Sequence, residues 1–278
     1  MKIFILIGLL SFSAIFAGCG LSGKSAENDF KVKREVFDFN KYPALTAVGK
    51  INFIGQKWCS LTLVSEDIAV TAGHCFLENN VKFDITKDIE PHFTSVIFRA
   101  NGNRRIENVS IKRVLKAEMN PDYAIVKLNK KIPESLIKPL KFSALTFEEI
   151  RSKEERLGCA GFNGDKELGE GGWQMTISRN VKIVPTENPS RRIDVNCFST
   201  YGGSGGLFFA ETENPQTNSS EYELVGVVWG MSDEKYDERG NLVKDENIVT
   251  STTPVSFFYQ ELSEIIKQNS EEKWQKMN

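Results

Sequence analysis

Histidine is almost missing from this chain: 278 residues contain only two, His74 and His92. A site that needs an imidazole must use one of them. An excess of one charge is missing as well, with 35 basic residues against 37 acidic ones. That balance gives no electrostatic argument for nucleic acid or an anionic membrane surface as partner, and no nucleic acid is expected. The five cysteines contain no CxxC pair, so nothing supports zinc, and neither a metal nor a cofactor is implied. Internal repeats and low-complexity tracts are also absent. What is present, 40% hydrophobic and 26% charged residues, suffices for one core or two modest ones.

The opening MKIFILIGLLSFSAIFAGCG joins one lysine to an apolar run that ends in small residues. This is a secretory signal over residues 1–18, not a spanning helix of the mature protein, so the chain is expected to be exported. Phe16-Ala17-Gly18-Cys19 resembles a bacterial lipobox. Lipidation of Cys19 would anchor the chain in the cell envelope, at the outer membrane or the periplasmic face. Cleavage after Ala17 by an ordinary signal peptidase is the alternative and would leave the protein secreted. Residues 19–42 are polar and of mixed charge, and fit a tether. Cys59, Cys75, Cys159 and Cys197 remain, an even number that in an exported protein favours disulfides over metal ligands.

From Pro43 on, short β-type runs such as SLTLVSEDIAVTA, YAIVKLN, QMTISRNVKIV and YELVGVVWGM alternate with Gly, Asn, Asp, Pro or Ser clusters. The pattern predicts an all-β fold, sandwich or barrels. Two stretches depart from it. A more charged connector, centred on 139–155, separates a β unit at 43–138 from another at 156–255. In the closing segment, 256–278, Phe258, Leu262, Ile265 and Ile266 recur at helical spacing and predict one terminal amphipathic helix. The charged run from Ser232 to Asn247 predicts a long exposed loop.

Three short motifs carry chemistry. His74, in VTAGHC, follows a β-type run. An imidazole that titrates near neutrality can take and return a proton, as a general base for a hydroxyl must; a buried structural histidine beside a disulfide fits the same residues. His92, after Pro91 in a polar turn, reads as solvated. Asp122, in NPDYAIVKL, stands at the mouth of an apolar strand. A carboxylate there can accept an imidazole N–H, hold the tautomer and stabilise the imidazolium, although Pro-Asp is also common turn chemistry. Ser204 lies in CFSTYGGSGGL. Its flanking glycines let backbone approach a substrate and turn the amides of Gly202 and Ser204 toward a developing oxyanion; alone, GGSGG could equally be a hairpin turn. The order His, Asp, Ser is the chymotrypsin order, unlike that of subtilisin or the α/β-hydrolases.

On these motifs, residues 43–268 resemble the chymotrypsin/trypsin-like serine peptidases. WCSLTLVSEDIAVTAGHC is similar to that family's cysteine-to-histidine segment, DYAIVKL to its aspartate strand, CAGFNG to the start of its second barrel and GGSGG to its nucleophile loop. VVWG, with Val228, Trp229 and Gly230, resembles its substrate-pairing strand, and FFYQELSEII its C-terminal helix. The resemblance implies two packed six-stranded antiparallel β-barrels and a terminal helix. It implies peptide hydrolysis through an acyl-enzyme, with His74, Asp122 and Ser204 as the triad and a protein or peptide as substrate. It also implies no cofactor and a monomer. A non-catalytic protein that uses the fold to bind a partner is the alternative. By the same resemblance Cys59 pairs with Cys75, which leaves Cys159 for Cys197.

The departures from the family are informative. Gly203 stands where the family usually has aspartate, whose buried carboxylate pairs with a new Ile-Val-Gly-Gly amino terminus. No such sequence occurs in KVKREVFDFNKYPALTAVGK. Removing one partner of a buried ion pair costs about 3–5 kcal/mol, while losing both can be nearly neutral. The two absences therefore agree, and predict an oxyanion loop held by other contacts through CFSTYGG. Val228 replaces a serine that supports the catalytic aspartate, Leu61 a glycine and Leu207 a proline. The base of the specificity pocket is left among Asp194, Val195 and Phe198, and Gly230 predicts an open pocket mouth.

Overall fold

A computed structural model describes residues 32–54, 56–77, 84, 86–100, 104–185, 192–214, 219–232 and 249–277. The signal segment, Cys19, the first part of the tether and the charged loop after Ser232 lie outside the described residues. No helix among those described is long and apolar enough to cross a membrane.

The fold is two curled antiparallel sheets, each a half-barrel, with few helices. The first described strand, β1 (Lys33–Val36), lies within the stretch expected to be a tether. The first sheet follows: β2 (Val48–Phe53), β3 (Lys57–Leu63), β4 (Ile68–Thr71), β5 (Ser95–Ala100), β6 (Arg104–Val109), β7 (Ile111–Met119) and β8 (Asp122–Leu128). Its order is β6-β5-β2-β3-β4-β8-β7. The second sheet uses β9 (Lys141–Phe142), β10 (Leu157–Gly161), β11 (Thr176–Arg179), β12 (Ile183–Val184), β13 (Ile193–Val195), β14 (Leu207–Asn214), β15 (Ser219–Ser232) and β16 (Val249–Pro254). Its path is β1-β11-β10-β14-β15-β16-β13-β12, with β9 on β15.

The strand numbers, seven and nine, exceed the six per barrel that the resemblance implies. Part of the excess is β1, whose residues pair antiparallel with β11 in the register Arg34↔Ser178. Four residues of mixed charge carry no alternation that marks a strand, and their pairing is made by backbone. β9 and the short helix α2 (Phe147–Arg151) come from the connector, the helix opened by a Thr146–Glu149 capping box.

The strands nearest the site are apolar because they are covered on both faces. Every residue of IAVT in β4 is buried, and so are all but Lys127 of DYAIVKL in β8. Leu61 and Leu207, the replacements for glycine and proline, are both fully buried. Leu61 is accommodated opposite Gly49 across the β2–β3 ladder.

The predicted terminal helix is α3 (Tyr259–Met277), which follows the helix α1 (His74–Leu77) and α2 in chain order. Phe258 and Leu262 are buried, and Ile265 and Ile266 pack against the core. Phe258 stacks on Tyr123 of β8 at 4.6 Å. Further along, buried Asn269 donates from Nδ2 to Asp67 Oδ1 at 2.8 Å and accepts from Lys127 Nζ. Asn269→Leu leaves Asp67 and Lys127 without this shared partner, so it should lower stability by about 1–3 kcal/mol in urea unfolding.

Candidate active site

A strand-to-helix turn and a hairpin bring His74 and Asp122 together. β4 ends at Thr71 and the chain turns through Gly73 into the single turn of α1, which begins at His74. The Cys59–Cys75 disulfide, with Cα atoms 6.5 Å apart, ties that turn to β3. Closing a loop of this length is worth about 3 kcal/mol in the chain-entropy model. Asp122 opens β8 at the tip of the β7–β8 hairpin, opposite Met119. Its Oδ1 accepts the His74 backbone N–H at 3.0 Å, and its Oδ2 lies 2.6 Å from His74 Nδ1. The carboxylate is 4% exposed and the imidazole 15%. With the Nδ1 proton held by Asp122, Nε2 is left as an acceptor. Thr253 Oγ1, from the second sheet, donates to Asp122 O at 2.8 Å and fixes this residue across the two half-barrels.

The Gly202–Gly206 loop that carries Ser204 is clamped from both sheets. Ser60 of β3 donates from its backbone N–H to Ser204 O at 2.7 Å and from Oγ to Gly202 O at 2.9 Å. The same Oγ accepts the Phe162 N–H at 2.8 Å. On the other side, Gly205 N–H donates to Val228 O at 2.6 Å, and Val228 N–H to Gly206 O at 2.9 Å. Val228 is thus committed to the loop through its backbone, while Gly230 lines the cleft. Trp229 lies at an irregularity of the β15–β16 register, and Ser204 Oγ donates to its carbonyl at 3.5 Å. The structure brings His74 and Ser204 to one cleft without a hydrogen bond between them. Among the described residues, the amides of Gly202 and Ser204 donate to no protein acceptor.

Gly202 has φ +85°, and a Cβ there would lie 1.8 Å from Trp58 Nε1. Only glycine fits both conditions. Gly203 faces a different constraint. A Cβ would come within 2.3 Å of Ser199 Oγ and 2.4 Å of Asn163 Oδ1. Buried Asn163 ties the neighbouring segments together: Oδ1 accepts the Thr200 N–H at 2.8 Å and Nδ2 donates to Thr176 Oγ1 at 2.7 Å. Thr200 O in turn accepts the Gly203 N–H at 2.8 Å. The space beside these residues is about 10 Å³, room for one water and not for a carboxylate. Gly203→Asp should therefore destabilise the fold by about 3–5 kcal/mol, as an unpaired buried charge does, and not restore a family feature; urea unfolding measures it.

The cleft has a volume of about 270 Å³, and His74, Ser204, Gly202, Trp58, Thr200 and Tyr201 are among the residues that line it. Tyr201 meets Trp58 edge to face at 4.6 Å, and burial pushes its phenol pKa above the ordinary value. The three candidates for the pocket base all face elsewhere. Asp194 accepts from Ser251 Oγ at 2.7 Å and pairs with Arg192. Val195 is in the core of the second sheet. Phe198 lies under the guanidinium of Arg34. Ser199, Thr200 and Tyr201 reach the cleft instead. The Cys159–Cys197 disulfide, Cα atoms 6.3 Å apart, anchors the chain before this segment to β10. The sulfurs of Cys59 and Cys75, which cluster with His74, are likewise taken up by their disulfide. His92 sits in a short exposed turn against Phe93, away from the cleft.

The family model for trypsin matches residues 40–244, most of the chain. The chain belongs to the trypsin family. The matched region of this trypsin-family chain contains His74, Asp122, Ser204 and Asn163, while β1 precedes it and α3 follows it. No curated protein matches the chain.

Proposed function

We propose that this chain is an exported serine endopeptidase that cleaves peptide bonds through an acyl-enzyme. Ser204 is the nucleophile, His74 the general base and then acid, and Asp122 the orienting carboxylate. The amides of Gly202 and Ser204 form the oxyanion hole. The observation that carries the reading is the two-point grip of Asp122 on His74, at the edge of the cleft that Ser204 also lines.

In this mechanism Ser204 Oγ attacks the scissile carbonyl carbon while its proton passes to His74 Nε2. The negative charge that develops on the carbonyl oxygen is met by the two unengaged amides. His74 then gives the proton to the leaving amine, the C–N bond breaks, and an acyl-Ser204 ester remains. His74 then takes a proton from water as the water oxygen attacks the ester carbon; the C–O bond to Ser204 breaks, the acid product leaves and His74 returns the proton to Ser204 Oγ. No cofactor takes part. A protein or peptide substrate lies along Trp229 and Gly230, with Val228 supporting the loop beneath. The chain acts as a monomer. Two disulfides suit an oxidising compartment, and lipidation of Cys19 would hold the enzyme at the bacterial cell envelope.

One observation favours a second reading, a catalytically silent binding module of the same fold: the Ser204 hydroxyl donates to Trp229 O and not to His74. A fluorophosphonate probe separates the two. The peptidase takes up one label per chain, and peptide mass mapping places it on Ser204; folded protein that takes no label is the binding module.

A further inference from the structure

The oxyanion loop has a support that lies upstream of the family-matched region. Arg34, on β1, sends its guanidinium between two loops. On one side it pairs with Asp165; on the other its guanidinium carbon stands 3.7 Å from the centre of the Phe198 ring. The contact is well covered, with side chains 12% and 7% exposed for Arg34 and Asp165. Burial pulls the Arg34 pKa below its ordinary value against the opposing pull of Asp165. Removing one member of such a buried pair leaves the other charge uncompensated.

Both partners lead directly to the oxyanion hole. Asp165 organises its own loop, with Oδ1 accepting the N–H groups of Glu167, Leu168 and Gly169 at 3.1, 2.9 and 3.3 Å. Two residues earlier in that loop is Asn163, which holds Thr200 N–H. Gly164 N–H also donates to Thr200 Oγ1 and to Tyr201 O. Phe198 begins the segment Phe198-Ser199-Thr200-Tyr201 that runs into Gly202. The backbone of β1 is fixed independently by its ladder with β11 and by the Phe37 N–H bond to Met175 O at 2.9 Å.

We infer that Arg34 is a positioning residue: β1 presents its guanidinium to Asp165 and Phe198, and so holds the Asn163 and Gly202 loops in register for oxyanion binding. The inference rests on the proposed peptidase reading. It assigns to an internal arginine the task that the family gives to a released amino terminus, so the chain carries its own activator and cleavage upstream of Lys33 leaves it in place. Arg34 touches no substrate. Its effect belongs to kcat, because the ground-state carbonyl gains less from the two amides than the oxyanion does.

The test compares Arg34→Met with wild type in the full chain, with kcat for a small ester expressed per fluorophosphonate-titrated site. A displaced oxyanion loop should lower kcat about 10²-fold, with KM within about threefold. Arg34→Lys keeps the charge without the planar stack and fork, and should recover part of the loss. Phe198→Leu keeps an apolar residue in place and should lower kcat in the same direction, which covers the case in which Arg34→Met fails to fold. Asp165→Asn combined with Arg34→Met should cost little more than either alone. If Arg34→Met keeps wild-type kcat per titrated site, with only its unfolding midpoint reduced, the residue is merely structural and the inference is wrong. If Arg34→Met does not fold and Phe198→Leu keeps wild-type kcat, it is wrong as well. A wild-type chain that takes no label ends the peptidase reading and this inference with it, whereas a labelled wild type with unaffected variants ends this inference alone.

Discussion

Ser204→Ala should lower kcat for ester and peptide hydrolysis by about 10⁶-fold, the scale of losing the nucleophile of a triad that acts as a unit. The same change should leave stability within about 0.5 kcal/mol of wild type. The two expectations differ because of what the hydroxyl touches. Among the described residues, its one hydrogen bond is to Trp229 O at 3.5 Å, at the limit of useful geometry. The loop around it is held by other atoms: Ser204 O through Ser60 N–H, Gly202 O through Ser60 Oγ, and Gly205 N–H through Val228 O. The hydroxyl can therefore be removed without loosening its setting. Residual turnover would come from the oxyanion amides and substrate binding alone. Steady-state kinetics beside urea unfolding checks both halves, and a variant with substantial activity would show that another group attacks the carbonyl.

Asp122→Asn should cost about 10⁴-fold in kcat, and here the direction of the damage follows from the hydrogen bonds. The carboxylate accepts twice from His74, the backbone N–H at Oδ1 and the ring at Oδ2. In the asparagine variant the backbone N–H still demands an acceptor, so the amide oxygen must stay at the first position. The NH₂ group then faces His74 Nδ1. Nδ1 has to accept, the ring proton moves to Nε2, and the nitrogen that should deprotonate Ser204 becomes a donor. Asp122→Glu, which keeps two acceptor oxygens on a longer stem, should retain more activity than the isosteric asparagine. The comparison of kcat across the three proteins decides whether tautomer control is the function of this carboxylate.

The residues that the sequence makes legible are those whose neighbours along the chain also build the site. His74 follows a fully buried strand, Asp122 opens another, and Ser204 lies among glycines that the backbone path requires. The half-barrels and the terminal helix follow from alternation and helical spacing. Asn163 is a different case. It stands in the quoted CAGFNG, but its partner Thr200 is far along the chain and nothing local marks the contact. Arg34 was hidden for the same reason, in a charged stretch that reads as tether until β11 gives it a strand to pair with. Counting along the chain leaves the pocket base open among Asp194, Val195 and Phe198, because it cannot show that Phe198 turns to Arg34 and leaves Ser199, Thr200 and Tyr201 facing the cleft. Gly203 lies between these cases: its oddity is visible in the sequence, while its cause, the oxygens of Ser199 and Asn163 crowding the position, needs coordinates.

The central claim is that contacts within the chain, the Asn163 network and the Arg34–Asp165 pair beside it, keep the oxyanion loop ready in the uncut chain with no inserted amino terminus. Pre-steady-state hydrolysis of a chromogenic ester, on protein whose intact mass shows residues 20–42 still attached, tests it most directly. The account predicts a burst of close to one leaving group per chain. A chain that gives no burst until those residues are trimmed away, and then gives a full one, would contradict it.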